Sequence, residues 1–350
     1  MLYPSLEQFL WLDQIQPRHR SQVGEKAFYL SQLKQRGYPV IPGLAIPTTA
    51  LREFLETIHW IDPLFADLPN SSLHLDVDNA RQLQLVAKAI RQQIIEAVLP
   101  VNWESILISI ADQLEAQTLI LRPSLAMPSG SSWKMAGLLD AQVCSREPDA
   151  IATGIKKVWA ELFRARSLLY WRRKGIQLDR ISLAILVQPI YNTLASGVLV
   201  ANSTNWEIQA TYGLEMAMER GEVRPDYYQV QPETGTVLMQ LLGAKTLAYN
   251  LTDLPSAKLP LGENGDKLPL KTFLVSEIDQ KEYALSEEYL KQLIQLQQQL
   301  VAELGSHFTL EWRLTATGAE NSTRQLQITQ IYNEQEVEKM GTAEKGNRER

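Results

Sequence analysis

Near residue 181 the apolar period of this chain changes, and few folds accommodate such a change. Upstream, apolar residues recur three and four apart. In GEKAFYLSQLKQR at 24–36, Ala27, Leu30 and Leu33 share one face and Gly37 follows, a spacing that predicts an amphipathic helix. PVIPGLAIPTTALREFLETI predicts an extended, proline-punctuated segment and then a helix that Thr48 or Thr49 can cap. Further helices are expected at 78–97, 102–116 and 147–174, the last with Arg164, Arg166, Arg172 and Arg173 on a half-exposed surface. QTLILR at 117–122 interrupts them as a short buried strand. Downstream, ISLAILVQPIY, SGVLVANS and WEIQATYG are each bounded by turn residues and read as strands.

The remainder mixes the two periods. Residues 235–250 and 286–304 are predicted helices; in the second, Tyr289, Leu293, Leu296, Leu300 and Leu304 form a stripe, Ser286 can cap it and Gly305 ends it. HFTLEWRL then alternates, with Phe308, Leu310, Trp312 and Leu314 facing one way and Thr309, Glu311 and Arg313 the other. QLQITQIY at 325–332 is a second strand, and from about 334 the chain is charged and expected to fray. No internal repeat is visible. The expectation is an α+β fold of two lobes around a cleft: a helix-rich lobe over 1–192, a strand-rich lobe over 193–334 and a charged tail over 335–350.

Composition narrows the function. A formal charge of -6 over 350 residues argues against broad nucleic-acid or anionic-membrane binding. The single cysteine, Cys144, cannot form an internal disulfide, which fits a reducing compartment. No apolar run reaches the ~18 residues of a membrane span, and the N-terminus does not read as a signal peptide, so a soluble cytoplasmic protein is expected. Four histidines and one cysteine, all far apart, exclude zinc-type spacing and leave a hard cation on oxygen ligands as the metal option.

Four places can carry chemistry. Gly24-Glu25-Lys26 opens a helix, where backbone N–H groups and a lysine suit an anion; the alternative is a solvated helix start. Arg122 ends a strand before a Ser/Gly/Pro-rich stretch that runs to Gly137, so it can bind phosphate bidentately, although the spacing is neither a Walker A loop nor a Rossmann fingerprint. If the two late strands are adjacent, Glu311 and Gln330 can converge on Mg²⁺; otherwise they are two polar residues on a half-exposed sheet. LVQPIY at 186–191, which contains Gln188, can meet an adenine edge or be a plain core strand.

Their joint order resembles a known family. QVGEKAFYLSQLKQRGYPVIPGLAIPTTALREFL is similar to V-G-G-K-x-A-x-L followed by G-x-x-V-P-x-G-F-x-[ST], and LRPSLAMPSGSSWKMAG to a stretch that begins V-R-S-S-A and ends F-A-G. VWAELFRARSLLYWRRKG, ILVQPI with ASGVLV, and YGLEMAMERGEVRPDYYQV each resemble further family stretches, the last G-L-G-E-x-V-V-x-G-x-V-x-P-D-x-Y. TLEWRL and LQITQIYN resemble D-I-E-W and L-Q-x-R-P. From about residue 20 to 333 the chain thus looks like the N-terminal nucleotide-binding domain of phosphoenolpyruvate synthase and pyruvate phosphate dikinase, an ATP-grasp relative. The resemblance implies an ATP-grasp-like fold in which Lys26 and Arg122 hold ATP phosphates and carry catalysis. It also implies that Gly137 lies in the nucleotide-binding loop, that Gln188 lines the adenine pocket, and that Glu311 with Gln330 binds Mg²⁺.

Departures fall at these same places. Glu25 stands at the family's second glycine, Glu215-Met216 at Gly-Glu, Thr309 at an aspartate and Tyr332 at an arginine. Pro128 and Ser129 replace an acidic pair, and only Asp140 keeps acidic character after Gly137. None of the four histidines has the Thr-His-Ala context of the family's phosphohistidine domain. The resemblance therefore implies two readings. One is an ATP-binding domain with a phosphotransferase partial reaction that needs a separate histidine carrier or other acceptor. The other is a pseudoenzyme whose fold serves as a binding or scaffold module for a protein partner.

Overall fold

The computed structural model describes residues 9–60, 79–100, 103–126, 137–176, 178, 181–252, 269–317 and 323–333. Two compact units form, Met1–Gln35 with Pro42–Pro189, and Arg36–Ile41 with Ile190–Arg350.

The first unit is built on a five-stranded antiparallel sheet of order β1-β2-β5-β3-β4. The strands are β1 (Leu10–Trp11), β2 (Leu44–Ile46), β3 (Thr118–Ala126), β4 (Gln142–Ser145) and β5 (Ser182–Pro189). Its helices are α1 (Arg20–Gln35), α2 (Thr48–Thr57), α3 (Ala80–Glu96), α4 (Trp103–Leu114), α5 (Pro148–Ala160) and α6 (Ala165–Arg173). β3 runs past the expected end at Arg122, through Pro123. Among the described residues β4 pairs only with Thr118–Leu121, so Pro123 lies beyond that pairing, where the missing N–H is tolerated. The predicted helix over 147–174 is three pieces, α5, a 3-10 turn at Glu161–Phe163 and α6. Neither Thr48 nor Thr49 caps α2, since Pro47 occupies the N-cap position. Aromatic packing fills the core, with Phe54 stacked on Trp159 (4.9 Å) and Trp103 edge-on to the same ring (5.7 Å).

Cys144 sits in this core on β4, and burial pushes its thiol up to about 12, with the charge of Glu147 adding to the rise. The native chain at pH 8 is therefore expected to leave Ellman's reagent unreacted for hours and to release one equivalent after denaturation. Rapid reaction of the folded chain would contradict this burial.

The second unit carries a six-stranded antiparallel sheet of order β13-β12-β6-β7-β8-β9. Its strands are β6 (Thr193–Ala201), β7 (Trp206–Tyr212), β8 (Asp226–Val230), β9 (Val237–Leu241), β12 (Phe308–Thr317) and β13 (Thr323–Asn333). A separate hairpin pairs β10 (Leu247–Leu251) with β11 (Leu270–Leu274), and the helices are the one-turn α7 (Met216–Glu219) and α8 (Glu287–Leu304). Gly197 is required where β6 meets β7 and β12. A Cβ there would lie 1.8 Å from the Gln209 carbonyl oxygen and 2.8 Å from the Trp312 ring. The segment Arg36–Ile41 joins this unit through Val40 bridged to Ile328, while Arg36 and Tyr38 bond Glu303 of α8 at 2.8 and 2.7 Å.

The helix expected over 235–250 is instead two strands, β9 and β10. Val237, Leu238, Leu241 and Leu242 have helical spacing, but Gly235 at φ +70 tightens the β8–β9 turn. At Gly243 a Cβ would lie 2.3 Å from the Arg224 carbonyl oxygen, so close backbone approach replaces the helix. In α8 the buried stripe is Leu290, Leu293, Ile294, Leu296, Gln297 and Leu300, rotated from the expected one. Ser286 is the N-cap without a side-chain bond, and Gly305 ends the helix at φ +84. The tail beyond 333 lies outside the described residues.

Candidate functional site

In the first unit the candidate site grows from β3. Gly24 breaks α1 with φ +75 and ψ 168, so a new helical segment starts there. Ser124 of β3 caps that segment from across the sheet, donating its hydroxyl to the Val23 carbonyl at 2.8 Å and accepting from the Ala27 N–H at 3.1 Å. Lys26 thereby sits in a first turn that is pinned to β3. Arg122, two residues before Ser124, is buried on the same face, and the pairing Ile120↔Gln188 puts the buried Gln188 there too. The backbone of Gly43 closes on this position, since a Cβ would lie 2.7 Å from the Gln188 Cγ. One sheet face thus carries Arg122 and Gln188 and is touched by the Lys26 turn.

Glu25 does not leave a bare negative charge in that turn. Arg20 grips it with Nε on Oε1 at 3.0 Å and Nη2 on Oε2 at 2.7 Å, and its guanidinium lies over the Phe28 and Tyr29 rings at 5.1 and 5.4 Å. Gly137 is exposed at φ +77, and residues 127–136, with Pro128 and Ser129, lie outside the described set. Asp140 is engaged by Arg164 and, at 2.6 Å, by Arg166. Beside it the buried Glu161 accepts from the Asp140 N–H at 3.1 Å and from Arg164 at 2.8 Å, with Arg91 at 3.6 Å. Burial raises the Glu161 carboxyl above the usual range against the pull of these bonds.

In the second unit Glu311 and Gln330 are direct cross-strand partners, as the adjacent-strand condition required. Thr309 pairs with Tyr332 two pairs along the ladder, and the Tyr332 hydroxyl donates to Gln330 Oε1 at 2.6 Å. The aspartate and arginine of the family pattern would face each other at that pair, so their joint replacement leaves no uncompensated charge. Against β13 the register shifts between Glu311 and Trp312, where Thr329 of β13 is the extra residue, whereas β12 keeps its register against β6 there and Arg313 is buried.

Three residues fall outside the expected set. Glu215, the N-cap of α7, and Glu219, at its last position, bring carboxylate oxygens within 4.8 Å of each other and of Glu311. Arg313 binds Glu215 through Nε to Oε2 at 2.9 Å and Nη2 to Oε1. Burial opposes the Arg313 charge, but Glu215, Glu311 and Glu219 outweigh it and raise its pKa. The E-x-x-x-E spacing and the E-x-R of β12 were visible as local signals; that 98 residues of chain return Arg313 to Glu215 was not. Carboxylate and amide oxygens make a hard donor set that fits Mg²⁺.

A buried arginine and a lysine turn on one sheet face, with clustered oxygen donors in the other unit, are the residue types of a nucleotide-binding protein. Comparison with known proteins places the chain accordingly: residues 20–350 match the family described as pyruvate phosphate dikinase, AMP/ATP-binding domain, and the chain belongs to that family. Among curated proteins it is 25% identical over 331 residues to a probable phosphoenolpyruvate synthase of Staphylothermus marinus, covering 88% of this chain and 39% of that one. It is 26% identical over 313 residues to a rifampicin phosphotransferase of Bacillus subtilis, covering 87% and 34%. The chain thus spans about two fifths or less of these relatives. No helix among the described residues is long and apolar enough to cross a membrane.

Proposed function

We propose that this chain is an ATP-grasp-like domain that binds Mg·ATP. Lys26 and Arg122 act on the phosphates, the Gly137 segment belongs to the same phosphate loop, Gln188 lies at the adenine, and Glu311 and Gln330 take the metal. The observation that carries this reading is the shared sheet face of Arg122 and Gln188 with the Ser124-capped Lys26 turn docked on it. Bound Mg²⁺ supplies charge neutralisation for the polyphosphate. The protein's own contribution is positioning: a rigid strand holds the guanidinium, a pinned helix start holds the ammonium, and Arg20 removes the repulsion that Glu25 would exert on phosphate. Phosphotransfer then goes to a separate acceptor, such as a histidine carrier.

Calorimetric titration with Mg·ATP tests binding. Lys26→Ala and Glu311→Gln are each expected to weaken affinity more than tenfold, about 1.4 kcal/mol; wild-type affinity in both variants places the nucleotide elsewhere. A second reading, a nucleotide-binding module without turnover, is favoured by the uncharged Thr309–Tyr332 pair where the family pattern has two charges. ATP consumption that begins only on addition of a separate histidine-carrier protein supports the first reading. Binding with no consumption under any pairing supports the second.

A further inference from the structure

The carboxylate cluster of the second unit holds a cation of its own. Glu215 and Arg313 are both buried, and the guanidinium engages both oxygens of Glu215 side-on. One carboxylate oxygen of Glu215 lies within 4.8 Å of an oxygen of Glu219 and of Glu311. Arg313 is two residues from Glu311 on β12, and in the pairing with β6 the two follow without a register shift, at Val198 and Ser196. A positive charge is therefore fixed beside the oxygens that would take a divalent ion. It occupies one acceptor site on each oxygen of one carboxylate and repels a dication at all three. Glu215 stands where the family pattern has glycine, so the charge and its counter-charge both lie in the site.

We infer that Arg313 is the resident counter-ion of the Glu215–Glu219–Glu311 cluster and sets the affinity of this chain for free divalent metal low, so that metal enters together with nucleotide phosphate. The inference rests on the reading that Glu311 faces the metal. Glu215 has the complementary role of holding the guanidinium away from Glu311. Without it, Arg313 would turn its charge on the remaining carboxylates and metal would bind more weakly still.

Mn²⁺ is a suitable probe, read on the full chain by the electron paramagnetic resonance of free Mn²⁺ and by thermal unfolding with and without the ion. Arg313→Met is expected to bind Mn²⁺ at least tenfold more tightly than wild type. Its melting temperature, lowered by loss of the Arg313–Glu215 ion pair, is expected to rise with Mn²⁺ by more than that of wild type. Arg313→Met/Glu215→Gln, which replaces the ion pair by a neutral pair, is expected to return to within about threefold of wild-type affinity. Glu215→Gln keeps the volume and one acceptor for Arg313, so it preserves the fold if Arg313→Met does not. It is expected to bind Mn²⁺ at least threefold more weakly than wild type. Equal affinity in wild type, Arg313→Met and Glu215→Gln overturns the role of Arg313; loss of that common binding in Glu311→Gln then shows that the metal reading itself survives. If Glu311→Gln leaves Mn²⁺ affinity untouched in both the wild-type and Arg313→Met backgrounds, the ion lies elsewhere and the reading of Glu311 fails with the inference.

Discussion

Gly24→Ala is expected to destabilise the chain by about 4 kcal/mol, through two effects that act at one atom. The backbone at φ +75 and ψ 168 lies in a region that essentially only glycine occupies, which accounts for ~1–3 kcal/mol. The rest is overlap, since a Cβ would lie 2.2 Å from the Ser124 carbonyl oxygen, and that atom belongs to a buried sheet strand that cannot give way. Relief requires the Lys26 turn to lift off β3, which breaks the Val23–Ser124–Ala27 bonds. The effect is thus both structural and local to the candidate phosphate site. Gly137→Ala is the control. Its φ is +77, but a Cβ there meets nothing within 4 Å among the described residues, so backbone strain alone, about 1–2 kcal/mol, is expected. Chemical denaturation of both variants separates the two effects. A Gly24→Ala chain no less stable than Gly137→Ala would mean that the Ser124 contact is not maintained in solution. Hydrogen exchange adds location, with lost protection expected in α1 and β3 before other elements.

How far the sequence disclosed this arrangement depends on the range of the interactions. The β12–β13 pair was legible, because alternation is a local signal and it placed Glu311 and Gln330 on strands that then paired in register. The helices Ala80–Glu96 and Trp103–Leu114 fell within a few residues of expectation for the same reason. β9 and β10 were illegible because VLMQLL satisfies a helical spacing as well as a strand one. The decision was made by Gly243 packing against Arg224, a contact between elements. The grip of Arg20 on Glu25 spans five residues and turned an apparent misfit at the proposed phosphate site into a compensated one. The Arg313–Glu215 pair spans 98, and no local pattern announces it. Charges that look lost or misplaced when residues are read singly are paired once the fold returns distant segments to each other. The Thr309–Tyr332 register makes the same point for charges that are absent.

The second large effect is expected at Lys245, which belongs to no predicted site. Asp226 and Lys245 are fully buried and ion-paired at 2.5 Å, and Asp226 also accepts the N–H groups of Gly243 at 2.8 Å and Ala284 at 2.7 Å. One carboxylate therefore ties the start of β8 to the turn that follows β9 and to the segment that leads into α8. The ammonium lies 5.6 Å from the centre of the Tyr212 ring, whose face adds to its stabilisation. Lys245→Met leaves a buried carboxylate with only its backbone donors, and removing one partner of such a pair costs about 3–5 kcal/mol. Asp226→Ala is expected to cost at least as much, since it strips three donors of their acceptor at once. The decisive measurement is the double variant Asp226→Asn/Lys245→Met, which keeps an acceptor for backbone N–H groups and buries no charge. If the pair acts as a unit, its loss is smaller than the sum of the losses of the Asp226→Asn and Lys245→Met single variants by about 1–3 kcal/mol. Additive losses would mean that Asp226 works through its backbone bonds alone and that Lys245 contributes only packing. Because Asp226 lies on β8 of the sheet that carries Glu311, the same variants test whether the proposed metal residues depend on it. A folded double variant that retains wild-type Mg·ATP affinity separates the scaffold from the chemistry.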